Sequence, residues 1–148
     1  MVIGNPNAEH EIIKVCNPYC GPCAKAHSDL EAILNENFNV KLRIIFTASD
    51  DDKDIKVHPV RHLLAIEATG NENLVKKALD DWYLSPTKDY ESFSKKYLMN
   101  GELKTQGEKV RAMNKWCKDM KILFTPTIYV NGHLLPQNYN VDELKSFF

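Results

Sequence analysis

No run in the 148-residue sequence approaches the roughly 18 apolar residues a bilayer-crossing helix needs, so these residues hold no helical membrane span. The opening M-V-I-G-N-P-N-A-E-H lacks the basic head and apolar run of a secretory signal, so the sequence itself gives no sign of export. Glycine and proline are scarce, at 6 and 7, beside 43% hydrophobic and 26% charged residues, which excludes collagenous and disordered chains. There is no excess of basic charge. Lys plus Arg total 19 against 20 for Asp plus Glu, a net charge of -1, so no global basic field collects nucleic acid or anionic lipid. Internal repeats and low-complexity segments are also lacking. Four cysteines are too few to staple a disulfide-dense mini-domain, yet at positions 16, 20, 23 and 117 they are clustered, which points to chemistry at residues 16 to 23. The length suits one domain.

The β-branched run E-I-I-K-V-C over 11 to 16, stopped by N-P, predicts a short strand. From Cys20, Cys23, Ala26, Leu30, Ile33 and Leu34 recur at helical spacing, and Pro22 is tolerated in the first turn. Residues 39 to 47 alternate at Val40, Leu42 and Ile44 and then become wholly apolar, as a strand covered on both faces does. The result is a βαβ unit with the cysteines at its first strand-to-helix junction. The run S-D-D-D-K-D reads as a solvated loop. Helical patterns follow over 59 to 69, 72 to 84, 89 to 98 and 105 to 120, punctuated by Gly70, Pro86 and Gly101. Residues 48 to 124 are thus a mostly helical excursion. T-P-T-I-Y-V, a turn at Asn131-Gly132 and H-L-L-P predict a hairpin. Asn140 with Glu143 is a capping-box variant that predicts a terminal helix burying Val141, Leu144 and Phe147 or Phe148.

Cys20-Gly21-Pro22-Cys23 places two sulfurs within one helical turn, close enough to bridge. Cys20, at the helix N-terminus, meets unpaired N–H groups and the positive end of the helix dipole, which favour its thiolate. Cys23, one turn further in, is the candidate resolver, attacking a mixed disulfide once Cys20 is engaged. The stretch resembles the active site of the thioredoxin superfamily, whose thioredoxin branch carries the same C-G-P-C at this junction. That resemblance implies a cis-proline before a later strand, opposite the cysteines, and Thr125-Pro126-Thr127 before I-Y-V-N-G matches. There the carbonyl and N–H of Thr125 would be free to pair with an extended substrate, with Tyr19, Gly21 and Pro22 on the rim. The helical excursion, with G-N-P-N-A-E-H-E-I-I before it and L-P-Q-N-Y-N-V-D-E-L-K after it, resembles the DsbA-type branch over nearly the whole chain. N-P-Y-C-G-P-C-A-K-A-H resembles the domain fused to bacterial vitamin K epoxide reductase-like membrane proteins.

The resemblance therefore implies an α/β thioredoxin-like fold with a helical insertion between the βαβ unit and a C-terminal ββα unit, in one domain over residues 1 to 148. It implies a protein disulfide oxidoreductase with Cys20 and Cys23 catalytic, and protein thiols and disulfides as partners. A membrane vitamin K epoxide reductase-like domain is a further partner, and the location is the extracytoplasmic face of a bacterial membrane. Neither cofactor nor metal is required, because the redox equivalents reside in two sulfurs. The direction of electron flow stays open: Gly-Pro between the cysteines resembles reducing thioredoxins, the insert resembles oxidising DsbA-type proteins. One position departs from the family. The superfamily often buries a carboxylate six residues before the first cysteine, where this chain has Lys14, expected to reach solvent along its stem, with thiolate stabilisation as the alternative.

Rival readings exist. Cys16, Cys20 and Cys23 also match C-x3-C-x2-C, the spacing of radical S-adenosylmethionine clusters, but 148 residues with one βαβ unit supply no barrel for such chemistry. Adding His27 gives a Cys3His metal-binding set, though structural zinc usually joins two separated ligand pairs. A redox-inactive thioredoxin-fold binding domain is the other alternative. Cys16 reads as a core or near-site thiol, Cys117 as a buried inert one. His27 is expected to be packed on the site or exposed beside it, His58 and His62 to lie on the surface, and Trp82 and Trp116 to be core.

Overall fold

In the computed structural model, which describes all residues from Met1 to Phe148, the chain forms two compact units. One comprises Met1–Cys16, Cys20–Ile45 and Ile122–Phe148, the other Asn17–Tyr19 and Phe46–Lys121. The first unit contains the sheet. Its strands are β1 (Val2–Gly4), β2 (His10–Cys16), β3 (Val40–Phe46), β4 (Thr127–Val130) and β5 (His133–Leu134), in the order β1-β3-β2-β4-β5. Strand β3 ends on Phe46, the first residue of the helical unit's long segment. Val40, Leu42 and Ile44, whose alternation the sequence shows, are a buried face of β3, and on β2 Ile12 and Val15 are buried on opposite faces of the strand. Between them in sequence runs α1 (Gly21–Glu36), which buries Cys23, Ala26, His27, Leu30 and Ile33.

Strand β1 escaped the sequence reading because three residues are too few to show a period; it pairs antiparallel with β3, Val2 opposite Arg43 and Gly4 opposite Lys41. The predicted hairpin is present. Asn131 at φ 50° and Gly132 at φ 84° supply the two positive φ values that a tight hairpin turn requires, and Val130 faces His133 across it. Asn131 Oδ1 also accepts the Glu11 N–H at 2.9 Å, tying the turn to β2. The terminal helix is a 3₁₀ helix, Val141–Ser146, and Asn140 makes no side-chain cap. Leu144 is buried as expected, but Phe147 is exposed. Residues three apart eclipse in a 3₁₀ helix, which puts 141 and 144 on one face, and Phe147 lies past its last residue, Ser146, as the C-cap.

In the helical unit, α2 (Val57–Ala68), α3 (Glu72–Tyr83), α4 (Tyr90–Lys96) and α5 (Gly107–Asp119) realise the four predicted patterns, with a 3₁₀ helix over Glu102–Gln106 ahead of α5. Helix α2 is the centre: Val57, Val60, Leu63, Leu64 and Ile66 are all fully buried. Caps define the starts of α3 and α4, where Asn71 and Asp89 side chains accept the N–H groups of Leu74 and Glu91. His62 is not on the surface. It is 2% exposed, with Nδ1 on the Tyr90 hydroxyl at 3.0 Å and Nε2 on the Tyr97 carbonyl, because α4 covers the α2 face on which it lies. Burial holds its pKa below the ordinary histidine value, against the opposing pull of the Tyr97 carbonyl. Trp82 is core, whereas Trp116 and Cys117 are only half-buried on α5. The acidic loop is loop as expected, but Arg61 clamps it, pairing with Asp50 at 2.7 Å and Asp52 at 2.6 Å.

Candidate active site

A strand that stops at an Asn-Pro pair and a helix that starts with Pro in its first turn leave the cysteine loop no alternative but a tight corner. Cys20 is the N-cap of α1, with extended backbone at φ -83° and ψ 125°. In place of the usual oxygen, its Sγ accepts the Cys23 N–H at 3.3 Å. A main-chain donor at the helix's positive end is therefore aimed at this sulfur. Cys20 is half-exposed, Gly21 and Pro22 are exposed, and Cys23 is fully buried. None of the four cysteines is in a disulfide.

Thr125-Pro126 is a cis peptide bond, as the resemblance implied. The Thr125 carbonyl is not free: the Cys20 thiol lies 3.6 Å from it and donates to it. The Thr127 hydroxyl donates to the Phe124 carbonyl and closes the loop from the other side. A groove of about 370 Å³ runs alongside, lined by Pro22, Phe124, Thr125, Pro126 and Tyr139 together with the charged Lys25 and Asp29. The structure thus brings Cys20, Gly21, Pro22, Cys23, Thr125 and Pro126 together within the sheet-bearing unit.

Tyr19 belongs to the other unit. Its ring meets Trp82 edge-on at 5.4 Å, and Trp82 Nε1 donates to the Pro18 carbonyl at 2.7 Å. Partial burial, and then the nearby Asp89 carboxylate, push the Tyr19 phenol above its usual pKa, so it stays protonated at neutral pH.

Lys14 departs from its expected place. It is 0% exposed, and its Nζ donates to the Cys23 carbonyl at 3.0 Å. The stem cannot snorkel, because Lys14 sits mid-strand on β2, opposite Ile128 of β4. His27 is packed beside the site, 5% exposed, with Nε2 3.5 Å from Glu31 Oε2. Cys16, the last residue of β2, is fully buried. Sequence reasoning ranked Lys14 too low, although the signal was there: its neighbours Ile12, Val15 and Cys16 all read as core.

A five-stranded mixed sheet, a helix capped by one cysteine of a C-x-x-C pair and a cis-proline turn beside that cap define a thioredoxin-like protein with a paired-cysteine site. The family model described as thioredoxin, Thioredoxin_4, matches residues 1–148, and the chain belongs to that family. No curated protein matches the sequence. Among solved structures the chain is similar to the thiol-disulfide exchange protein α-DsbA2 from Wolbachia pipientis, at 14% identity and TM-score 0.76, over 99% of this chain and 83% of that one. It is similar to oxidised BdbD from Bacillus subtilis, at 17% identity and TM-score 0.74, over 99% and 89%. It is also similar to the catalytic domain of Proteus mirabilis ScsC, at 16% identity and TM-score 0.77, over 98% and 84%. At these identities the likeness is one of fold, and it includes helices between the βαβ unit and the final hairpin.

Proposed function

We propose that the chain is a protein disulfide oxidoreductase that exchanges disulfides with partner proteins through Cys20 and Cys23. The observation that carries this reading is the Cys20 sulfur: half-exposed, seated as the cap of α1, and receiving the Cys23 N–H at 3.3 Å. In the reducing direction the Cys20 thiolate attacks a partner disulfide, forming a mixed disulfide and expelling one partner thiolate. Cys23 then attacks Cys20 Sγ, the second partner thiolate leaves, and two electrons have passed to the partner. The oxidising direction is the reverse.

Thr125 and Pro126, with Gly21 and Pro22, present the partner's backbone beside Cys20, and the adjoining groove takes an extended segment. When the partner strand arrives it displaces the Cys20 thiol from the Thr125 carbonyl. Tyr19, the residue before Cys20 in the chain, is the candidate rim residue, as a phenol rather than a catalytic acid. The 48–124 helices are an insertion in a single domain of residues 1–148 under this reading, and the setting is the extracytoplasmic face of a bacterial membrane. No helix of these residues is long and apolar enough to cross a membrane; a membrane-bound electron partner of the vitamin K epoxide reductase-like kind belongs to this reading.

The test is insulin reduction with dithiothreitol, together with equilibration against glutathione. Wild type accelerates the first and reaches a defined ratio in the second, and Cys20→Ser abolishes both. An effect on insulin that Cys20→Ser leaves unchanged would favour a redox-inactive binding domain.

A further inference from the structure

Trp82 is buried in the helical unit, yet its one polar group is aimed at the chain that leads into Cys20. The residue is 2% exposed, and Nε1, the only hydrogen-bonding group a tryptophan side chain carries, donates to the Pro18 carbonyl at 2.7 Å. The other pole of the same peptide unit is taken as well, because the Tyr19 N–H donates to Asn17 Oδ1 at 2.9 Å. The plane that joins Pro18 to Tyr19 is thus held at its oxygen and at its hydrogen. Pro18 is buried, so a carbonyl that lost its donor there would be unfavourable and would turn toward another. The Tyr19 ring meets the Trp82 ring edge-on at 5.4 Å, and Phe93 on α4 packs against Trp82 in the same manner, also at 5.4 Å. Residues 17 to 19 belong with the helical unit, and the residue bonded to Tyr19 is Cys20.

We propose that Trp82 is a positioning residue for disulfide exchange: by fixing the Pro18–Tyr19 peptide unit it restricts the backbone of Cys20 and keeps Cys20 Sγ on the Cys23 N–H. This deepens the function proposed above and rests on it. With the plane fixed and the Tyr19 ring held against Trp82, the torsions left between the anchor and the sulfur are ψ of Tyr19 and φ and χ1 of Cys20. Helix α1 fixes the other side, since its cap needs Cys20 extended, at φ -83° and ψ 125°, with Sγ accepting the Cys23 N–H at 3.3 Å. That N–H stabilises negative charge on the sulfur. If the approach to the cap loosens, the contact is made for a smaller share of the time and less thiolate is present at neutral pH. Trp82 acts through the backbone only, and no step of the exchange is routed through the indole.

The test is the rate at which iodoacetamide alkylates Cys20 in the reduced full chain at pH 7 and at pH 9.5, with the modified residue identified by peptide mass. Trp82→Phe keeps a buried ring without the donor, and Asn17→Ala frees the other pole of the peptide unit. Val110→Ala truncates a fully buried side chain on α5 and lowers stability with both poles in place. At pH 7 the rate in Trp82→Phe falls about fivefold, a partial loss of a hydrogen bond to charged sulfur that is worth about tenfold or more when lost outright. At pH 9.5, where most of any cysteine is thiolate, the rate returns to within about twofold of wild type. Asn17→Ala shows a fall of the same kind, and the double variant falls little further than Trp82→Phe, because one freed pole already releases the plane. Val110→Ala stays within about twofold of wild type at both pH values. Circular dichroism identifies a Trp82→Phe chain that has not folded, and Asn17→Ala against Val110→Ala then decides. An unchanged rate at pH 7 in folded Trp82→Phe overturns the proposal. So does an equal fall at both pH values, which reports access to the sulfur, or an equal fall in Val110→Ala, which reports general loosening. A double variant whose loss is the product of the two single losses overturns it too, since the poles then act separately. A wild-type chain that does not reduce insulin defeats the exchange function itself, whereas an insulin-reducing chain indifferent to Trp82→Phe defeats only the role of Trp82.

Discussion

Three cysteines lie within eight residues of one another, and under the proposed function their different surroundings separate their roles. Cys20 is half-exposed at a helix cap; Cys23 and Cys16 are fully buried. A nucleophile that meets a bulky partner has to be the exposed one, and a resolver has to be covered until the mixed disulfide presents Cys20 Sγ to it. Cys23→Ser should therefore accumulate a covalent adduct between Cys20 and a disulfide-containing partner, visible on a non-reducing gel and lost with dithiothreitol. Absence of any adduct in that variant would remove the assigned order of attack. Cys16→Ser should retain turnover in the insulin assay and lose thermal stability, because a hydroxyl replaces a thiol in an apolar seat at the end of β2. Loss of turnover with an unchanged melting temperature would instead place Cys16 in the chemistry.

His62 gives the residue scale its pH dependence. Burial first, against the Tyr97 carbonyl, depresses its pKa below the unfolded value of about 6.5. On acidification the unfolded chain takes up a proton there that the folded chain refuses, so stability is full above about pH 6.5 and declines as pH falls below it. The melting temperature should drop between pH 7.5 and pH 5, and His62→Gln should flatten that drop. The depressed carboxylates Asp50, Asp54 and Asp81 act in the same sense but only near pH 4 and below, so the two windows are separable. An equally steep fall in His62→Gln would mean that another group titrates.

Elements were legible in the sequence wherever a period or a cap had room to show. Strands β2 and β3, α1 and the four helices of the insertion follow from apolar spacing, and the hairpin follows from Asn131-Gly132 with its two positive φ values. Asn71 illustrates how a boundary is written: its side chain accepts the Leu74 N–H at 3.1 Å, one of the four donors a helix start leaves without a partner. Asn71→Ala should cost about 1 kcal/mol in urea unfolding, and an unchanged midpoint would show that water replaces the cap at no cost. What was not legible depends on packing between elements. Lys14 and His62 are polar residues whose burial is decided by α1 and α4 closing over β2 and α2, which no local pattern announces. The terminal segment has the letters of a capped α-helix, but its Asn140 makes no side-chain cap, and the chain tightens to 3₁₀. The candidate site was read more completely than the fold around it, because C-G-P-C and T-P-T are short and local while their support is not.

At the scale of the whole molecule, redox state and folding stability are one linked quantity. Folding and disulfide formation form a closed cycle, so the stability of the reduced chain minus that of the oxidised chain equals the difference in redox free energy between folded and unfolded chain. Paired urea titrations of the oxidised and reduced wild-type chains measure one side of that equality, and glutathione equilibration of the folded and of the urea-unfolded chain measures the other. If Cys20 and Cys23 are the pair that bridges, the two sides should agree, and they should agree equally well in Cys16→Ser, which leaves the pair intact. Equality in Cys16→Ser but not in wild type would show that the unfolded chain forms a disulfide through Cys16 in place of the Cys20–Cys23 bond.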